Sequence, residues 1–176
     1  MAEVHIIGSI TGASGFPSAN LSCKWSMVAG EEWTLLEGSI KGHTQVDLPV
    51  DARFSVWSHP IDVHYSTKSI KGWPKLQFQI FHQDRFGRNE LYGYGFIHVP
   101  TTPGMHELEC MTWKPLASNS NKLWEFFLGA SSQLRDTDVI HNGADRFRLV
   151  TATMGKVHLE LGIILRNFSN YGISMN

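Results

Sequence analysis

Nine histidines are the first residues of this chain that could do chemistry, because imidazole titrates near neutrality and is the commonest protein ligand for zinc. Their spacing does not build a site. There is no His-x-His and no His-Glu-x-x-His, and the nearest pair, His59 and His64, is separated by Pro60 and falls on opposite faces of a strand. Surface or structural histidines are expected, and no metal site. Cys23 and Cys110 stand far apart without a Cys-x-x-Cys partner, so both are expected as reduced, buried thiols. Acyl-transfer chemistry would need an anchored nucleophile, and neither a Gly-x-Ser-x-Gly elbow nor a cysteine-nucleophile signature is present. Gly8-Ser9-Ile10-Thr11-Gly12 and Gly93-Tyr94-Gly95 are glycine-rich, yet neither leads into a Lys-Ser/Thr pair at phosphate-loop spacing or opens a helix. No catalytic residue and no cofactor site is expected; Tyr94 between its two glycines marks close backbone approach or aromatic packing inside a strand.

The most informative polar stretch is Phe81-His82-Gln83-Asp84-Arg85-Phe86-Gly87-Arg88-Asn89-Glu90, which joins two alternating segments and sets Phe86 between two arginines. Arg85, Phe86 and Arg88 form the candidate contact loop, for an anionic membrane surface or an acidic partner, with a solvated hairpin tip as the plain alternative. Calcium-binding loops gather several carboxylates, and here Arg85 and Arg88 stand where those would be needed. Arg146, Arg148, Lys156 and Arg166 add positive charge later in the chain. The six tryptophans suit core filling and protein contact at least as well as display of rings to a sugar.

These residues sit on a chain of 176 residues with 42% hydrophobic and 18% charged residues, enough for a single domain spanning 1–176 with one core. Its 15 Lys+Arg against 16 Asp+Glu give a formal charge of −1, which argues against a bulk nucleic-acid binder. No stretch approaches the roughly 18 apolar residues of a membrane span, and the start, Met-Ala-Glu-Val-His, lacks the basic and apolar regions of a secretory signal. A soluble, unsecreted chain is the expectation.

Glycines and prolines punctuate the sequence at short intervals, and the segments between them alternate at period two. Val4–Ile10 reads as a strand closed by a bend over Gly12–Pro17, and Leu21–Met27 places Leu21, Cys23, Trp25 and Met27 on one face. Further strands are expected at Trp33–Leu36, Thr44–Val46, Phe54–Trp57, Asp62–Tyr65, Leu76–Gln83, Tyr92–Val99, His106–Cys110 and Val157–Arg166. In Leu76–Phe81, Leu76, Phe78 and Ile80 face the core, whereas Gln77 and Gln79 face solvent or another protein. A short helix is expected at Asn121–Leu128 in a late crossover, followed by an exposed connection, Ser131–Asn142, that carries Asp136 and Asp138. The fold class is all-β: an antiparallel β-sandwich of about eight strands with one short helix.

Five motifs, Trp57-Ser58-His59-Pro60-Ile61-Asp62, Gly72-Trp73-Pro74-Lys75-Leu76, Gln83-Asp84-Arg85-Phe86-Gly87-Arg88, Gly93-Tyr94-Gly95-Phe96 and Arg166-Asn167-Phe168, stand in an order and spacing that resembles the B-nine (B9) domain family. The family is a divergent relative of the C-two (C2) sandwich, and the resemblance runs from Ala2 to Gly172. It implies a C2-like sandwich and a non-enzymatic subunit of the tectonic-like transition-zone complex associated with Meckel and Joubert syndromes. It also implies two sister B9-domain proteins as partners in a hetero-oligomer, tectonic-type components around them, and tubulin or an anionic membrane nearby. The implied location is cytoplasmic and cytoskeletal, at the centrosome-associated basal body and transition zone of the cilium. The parent C2 fold often holds calcium through loop aspartates, and the matching loop here offers Asp84 beside Arg85 and Arg88.

Overall fold

The computed structural model describes residues 1–50, 53–116 and 150–171. Strands β1 (Ala2–Ser14), β2 (Leu21–Val28), β3 (Trp33–Gly38), β4 (Lys41–His43), β5 (Phe54–Thr67), β6 (Lys75–Gln83), β7 (Asn89–His98), β8 (Gly104–Pro115) and β9 (Thr151–Arg166) are followed by a 3₁₀ turn at Phe168–Tyr171. They form one antiparallel sheet in the order β3-β5-β1-β9-β8-β7-β6-β2-β4. Long ladders join β5, β1, β9 and β8 in one run and β7, β6 and β2 in another, and the two runs meet where β7 pairs with β8 through the single pair Tyr94–Trp113. There the sheet curls into a two-layered sandwich. Its interior takes alternate residues from both layers: Val4 and Ile6 of β1, Ile61 and Val63 of β5, Leu159 and Leu161 of β9, against Cys23 and Trp25 of β2 and Phe78 and Ile80 of β6.

The glycine-flanked tyrosine explains the joint. A side chain at Gly95 would place its Cβ 2.9 Å from the Cys110 sulfur, and one at Gly93 would sit 3.2 Å from the Thr112 hydroxyl. The two glycines let β8 lie close, so Tyr94 packs on Trp113 at 5.5 Å between ring centres in a second apolar cluster with Leu91. Five tryptophans, Trp25, Trp33, Trp57, Trp73 and Trp113, fill or border the cores. Trp73 donates its indole N–H to the Val99 carbonyl and packs between Trp33 and Phe168. Gly72, at φ +68°, gives that corner the left-handed backbone that glycine adopts without strain.

Several expectations are corrected. β1 runs past Gly12 to Ser14 because a bulge between Ile10 and Gly12 absorbs the irregularity, and a side chain at Gly12 would strike the Phe54 ring. Phe54–Trp57 and Asp62–Tyr65 are one continuous strand. Pro60 is tolerated within it because β3 pairs with β5 only from Val63 onward, which leaves an edge where a missing N–H costs no ladder bond. Thr44–Val46 is not a strand; the strand there is Lys41–His43. After His43 backbone and side-chain bonds share the pairing: the Thr44 N–H donates to the Cys23 carbonyl while the Thr44 hydroxyl accepts from the Cys23 N–H, Gln45 donates its amide to the Trp57 carbonyl, and the Asp47 carboxylate accepts the Val56 N–H. Gln77 is buried, with its carbonyl oxygen accepting from the Ser26 hydroxyl and Phe96 opposite it on β7. The helix at Asn121–Leu128, the connection Ser131–Asn142 with Asp136 and Asp138, Trp124, Arg146 and Arg148 lie outside the described residues.

Candidate functional site

The loop between β6 and β7 is built around one carboxylate. Strand pairing closes at Gln83 opposite Asn89. Beyond it the Asp84 N–H donates to the Arg88 carbonyl at 2.9 Å, and the Gly87 N–H donates to the Asp84 carbonyl at 3.0 Å. Gly87 has φ +77°, as the turn requires. Asp84 Oδ1 accepts the N–H groups of Phe86 and Arg88 at 2.8 and 2.9 Å, and Oδ2 accepts the Arg88 guanidinium at 2.8 Å. Such side-chain-to-backbone bonding is why aspartate suits this position. The Arg88 N–H is the largest influence holding the Asp84 carboxyl below its usual range; desolvation opposes it, and the Arg88 guanidinium and Phe86 N–H add to it.

This geometry separates the three candidate residues. Arg88 is tied to Asp84, so its charge is locally neutralised. Arg85 pairs with no carboxylate among the described residues, and its guanidinium carbon lies 4.8 Å from the centre of the Phe86 ring; that of Arg88 lies at 5.4 Å. The ring is 69% exposed. An aromatic face held between two guanidinium groups, one still carrying free charge, can meet an acidic surface or an anionic headgroup. Of the late cations, Lys156 and Arg166 do not join it: Lys156 pairs with Glu109 at 2.6 Å and Arg166 with Glu3 at 3.7 Å, both on β9's layer.

The histidines are distributed otherwise than their sequence order suggests. His64 stacks on His5 across β5 and β1 at 5.0 Å, with Asp62 bound to His5 and Glu3 beside His64. His59 lies against Trp25, where burial, with His43 adding a smaller effect, lowers its affinity for a proton. Among the described residues no three His, Cys, Asp or Glu side chains come together in a way that could hold a metal ion. Cys23 and Cys110 are buried thiols, and burial pushes Cys110 up to about 12 and Cys23 well above its usual value.

Two surfaces were missed by sequence reasoning. On the outer face of β1, β9 and β8, the register sets Ile7, Gly162 and Met105 in one row and Ser9, Glu160 and Glu107 in the next. The first row borders a shallow apolar trough of about 350 Å³ that Ile164 also lines. On the outer face of the other layer, Lys24, Lys41, His43, Phe81 and Asn89 line a trough of about 560 Å³, with His43 edge-on to Phe81. Alternation along Glu107–Glu109 and His158–Glu160 shows which residues face outward; which strand lies beside which does not appear in the sequence.

Residues 4–164 match the family model described as "Ciliary basal body-associated, B9 protein" (B9-C2). The chain is 57% identical to B9 domain-containing protein 2 of Danio rerio over 98% of this chain and 99% of that one, and 54% identical to its Homo sapiens counterpart with the same coverage. It is 28% identical to B9 domain-containing protein 1 of Mus musculus over 95% of this chain and 83% of that protein. The solved C2A domain of a plant extended synaptotagmin 1 aligns over 92% of this chain and 93% of that one, with 15% identity and a TM-score of 0.43. The family match runs from β1 to within two residues of the end of β9, and on that ground the chain belongs to the ciliary basal body-associated B9 domain family.

Proposed function

We propose that this chain is a non-enzymatic adaptor subunit of the tectonic-like transition-zone complex at the ciliary base. In this reading it joins its two sister B9-domain proteins and supports both ciliogenesis and the diffusion barrier between ciliary and plasma membranes. The observation that carries the reading is the near full-length likeness to B9 domain-containing protein 2, from Danio rerio to Drosophila melanogaster, where identity is still 41%. Conserving one sandwich over its whole length suits a part whose work is done by its surfaces. In this reading tectonic-type components are further partners, with tubulin or an anionic membrane surface beside them and no nucleic acid.

Light scattering on a sizing column tests it, with this chain alone and mixed with the purified sister B9 proteins, in calcium and in chelator. A stoichiometric hetero-complex indifferent to calcium is expected. A chain that stays monomeric beside both sisters would overturn the adaptor reading.

A second reading rests on Phe86. An exposed ring flanked by a free Arg85 favours calcium-independent contact with an anionic membrane at the ciliary base. Binding to vesicles containing phosphatidylserine should fall several-fold with Arg85→Glu or Phe86→Ala and weaken in high salt. Pelleting unchanged by both substitutions would remove the loop from that role. Arg88 is the poorer probe, because its loss also releases Asp84.

A further inference from the structure

Two faces of the sandwich carry charges that no neighbour among the described residues neutralises, and the signs are opposite. Glu107 and Glu160 stand directly across from one another on β8 and β9, and neither has a cation partner among the described residues. Like charges in that relation weaken a strand pair. In the adjoining row Ile7, midway along β1, is 41% exposed, and Met105, the second residue of β8, is 74% exposed. On the opposite layer Lys24 pairs with His43 and Ser26 with Lys41, so the two lysines sit one diagonal step apart across β2 and β4. They too lack an ion-pair partner among the described residues, and the Phe81 ring lies beside them.

We infer that these are the two halves of one contact: the Met105–Glu107–Glu160 face of one copy seats in the Lys24–Lys41–Phe81 trough of a second copy. The directly opposed pair of carboxylates then faces the diagonal pair of ammonium groups, and both internal repulsions are relieved together. Met105 meets the Phe81 ring, a favourable thioether–aromatic contact, and Ile7 is withdrawn from water. Because the two surfaces differ, the association is front to back. It leaves one unused surface of each kind at the ends, so copies add in an open row until a different partner caps it. The contact is independent of the adaptor reading, since both halves lie on this chain.

The test is sedimentation velocity of the full chain from about 10 µM to about 1 mM at low salt, a range that reports contacts of this modest size. The mean mass should rise with concentration, and less so at about 0.5 M salt. Glu107→Lys with Glu160→Lys, and separately Lys24→Glu with Lys41→Glu, should each abolish the rise, and an equimolar mixture of the two variants should restore it. The single variant Glu107→Lys guards against a folding artefact. It sets opposite charges across β8 and β9, so it should melt no lower than the parent, or about 1–2 °C higher, while associating at least fivefold more weakly. A wild-type chain that is monomeric throughout, variants that associate like wild type, or a mixture that stays monomeric would each overturn the contact.

Discussion

Trp57 donates its indole N–H to the carbonyl of Leu21 at 3.1 Å, a bond that ties a side chain of β5 to the backbone of β2 in the opposite layer. The same carbonyl accepts the Asp47 N–H at 3.0 Å. Trp57→Phe therefore leaves Leu21 with a partner and should cost about 1 kcal/mol, whereas Trp57→Ala, which also empties a buried site, should cost about 3–5 kcal/mol. Urea unfolding followed by far-ultraviolet circular dichroism separates the two outcomes. Equal losses would show that the bond, and not the ring, holds the layers.

Ile80 is fully buried at the centre of β6, with Cys23 on one side and Gly93 on the other. Ile80→Asp puts an unpaired carboxylate there and should destabilise the sandwich by at least about 4 kcal/mol. A thermal melt close to that of the parent would contradict the packing.

The approach of β8 to β7 depends on Gly95. Gly95→Ala forces its Cβ against the Cys110 sulfur and should cost about 1–3 kcal/mol, with a change in tryptophan fluorescence as Trp113 is displaced. Gly87→Ala meets no atom within 4 Å and should cost only the strain of a positive φ, about 1 kcal/mol. Chemical unfolding of the two variants side by side checks the order.

The buried thiols give a chemical test. With Cys110 held up to about 12 and Cys23 raised well above its usual value, little thiolate exists near neutral pH, and burial blocks access. Ellman's reagent should find no fast-reacting thiol from these two in the native protein at pH 8, and both on addition of denaturant.

Asp84 sets an acid limit on its loop. Its carboxyl titrates lower in the folded loop than in the unfolded chain, so the ionised form favours the folded loop. That contribution is fully present above the unfolded value, near 3.8, and is lost as pH falls through the lower folded value. Amide signals of Phe86 and Arg88 should shift together at that lower pH, and Asp84→Asn should remove the transition and speed their hydrogen exchange at neutral pH. A transition at or above the ordinary carboxylate range would show the Asp84 bonds to be absent in solution.

The sequence disclosed whatever depends on local alternation. Leu76, Phe78 and Ile80 were legible as core residues because period two marks one face of a strand, and the Asp84–Arg88 loop was legible as a hairpin tip because it joins two such runs. Gln77 was misjudged because burial on the outer face depends on Ser26 and Phe96, which come from other strands. Thr44–Val46 was misjudged because the Thr44 hydroxyl takes the Cys23 N–H that a strand's carbonyl would accept, which interrupts the ladder there. The stacked pair of His5 and His64 and the opposed pair of Glu107 and Glu160 could not be foreseen: each depends on register between distant strands, and a shift of one residue would send those side chains to the other face.

The position of β1 bears on how the molecule is made. The earliest of the described strands in chain order, β1, lies between β5 and β9, and its pairing with β9 joins Glu3 to Arg166 and Ile6 to Ile163. Until those last residues emerge, the nascent chain carries an open edge along β1 and a half-covered apolar face, Val4 and Ile6 included. Completion of the layer therefore waits for β9, and the growing polypeptide is a natural client for chaperones that shield unpaired strands during synthesis.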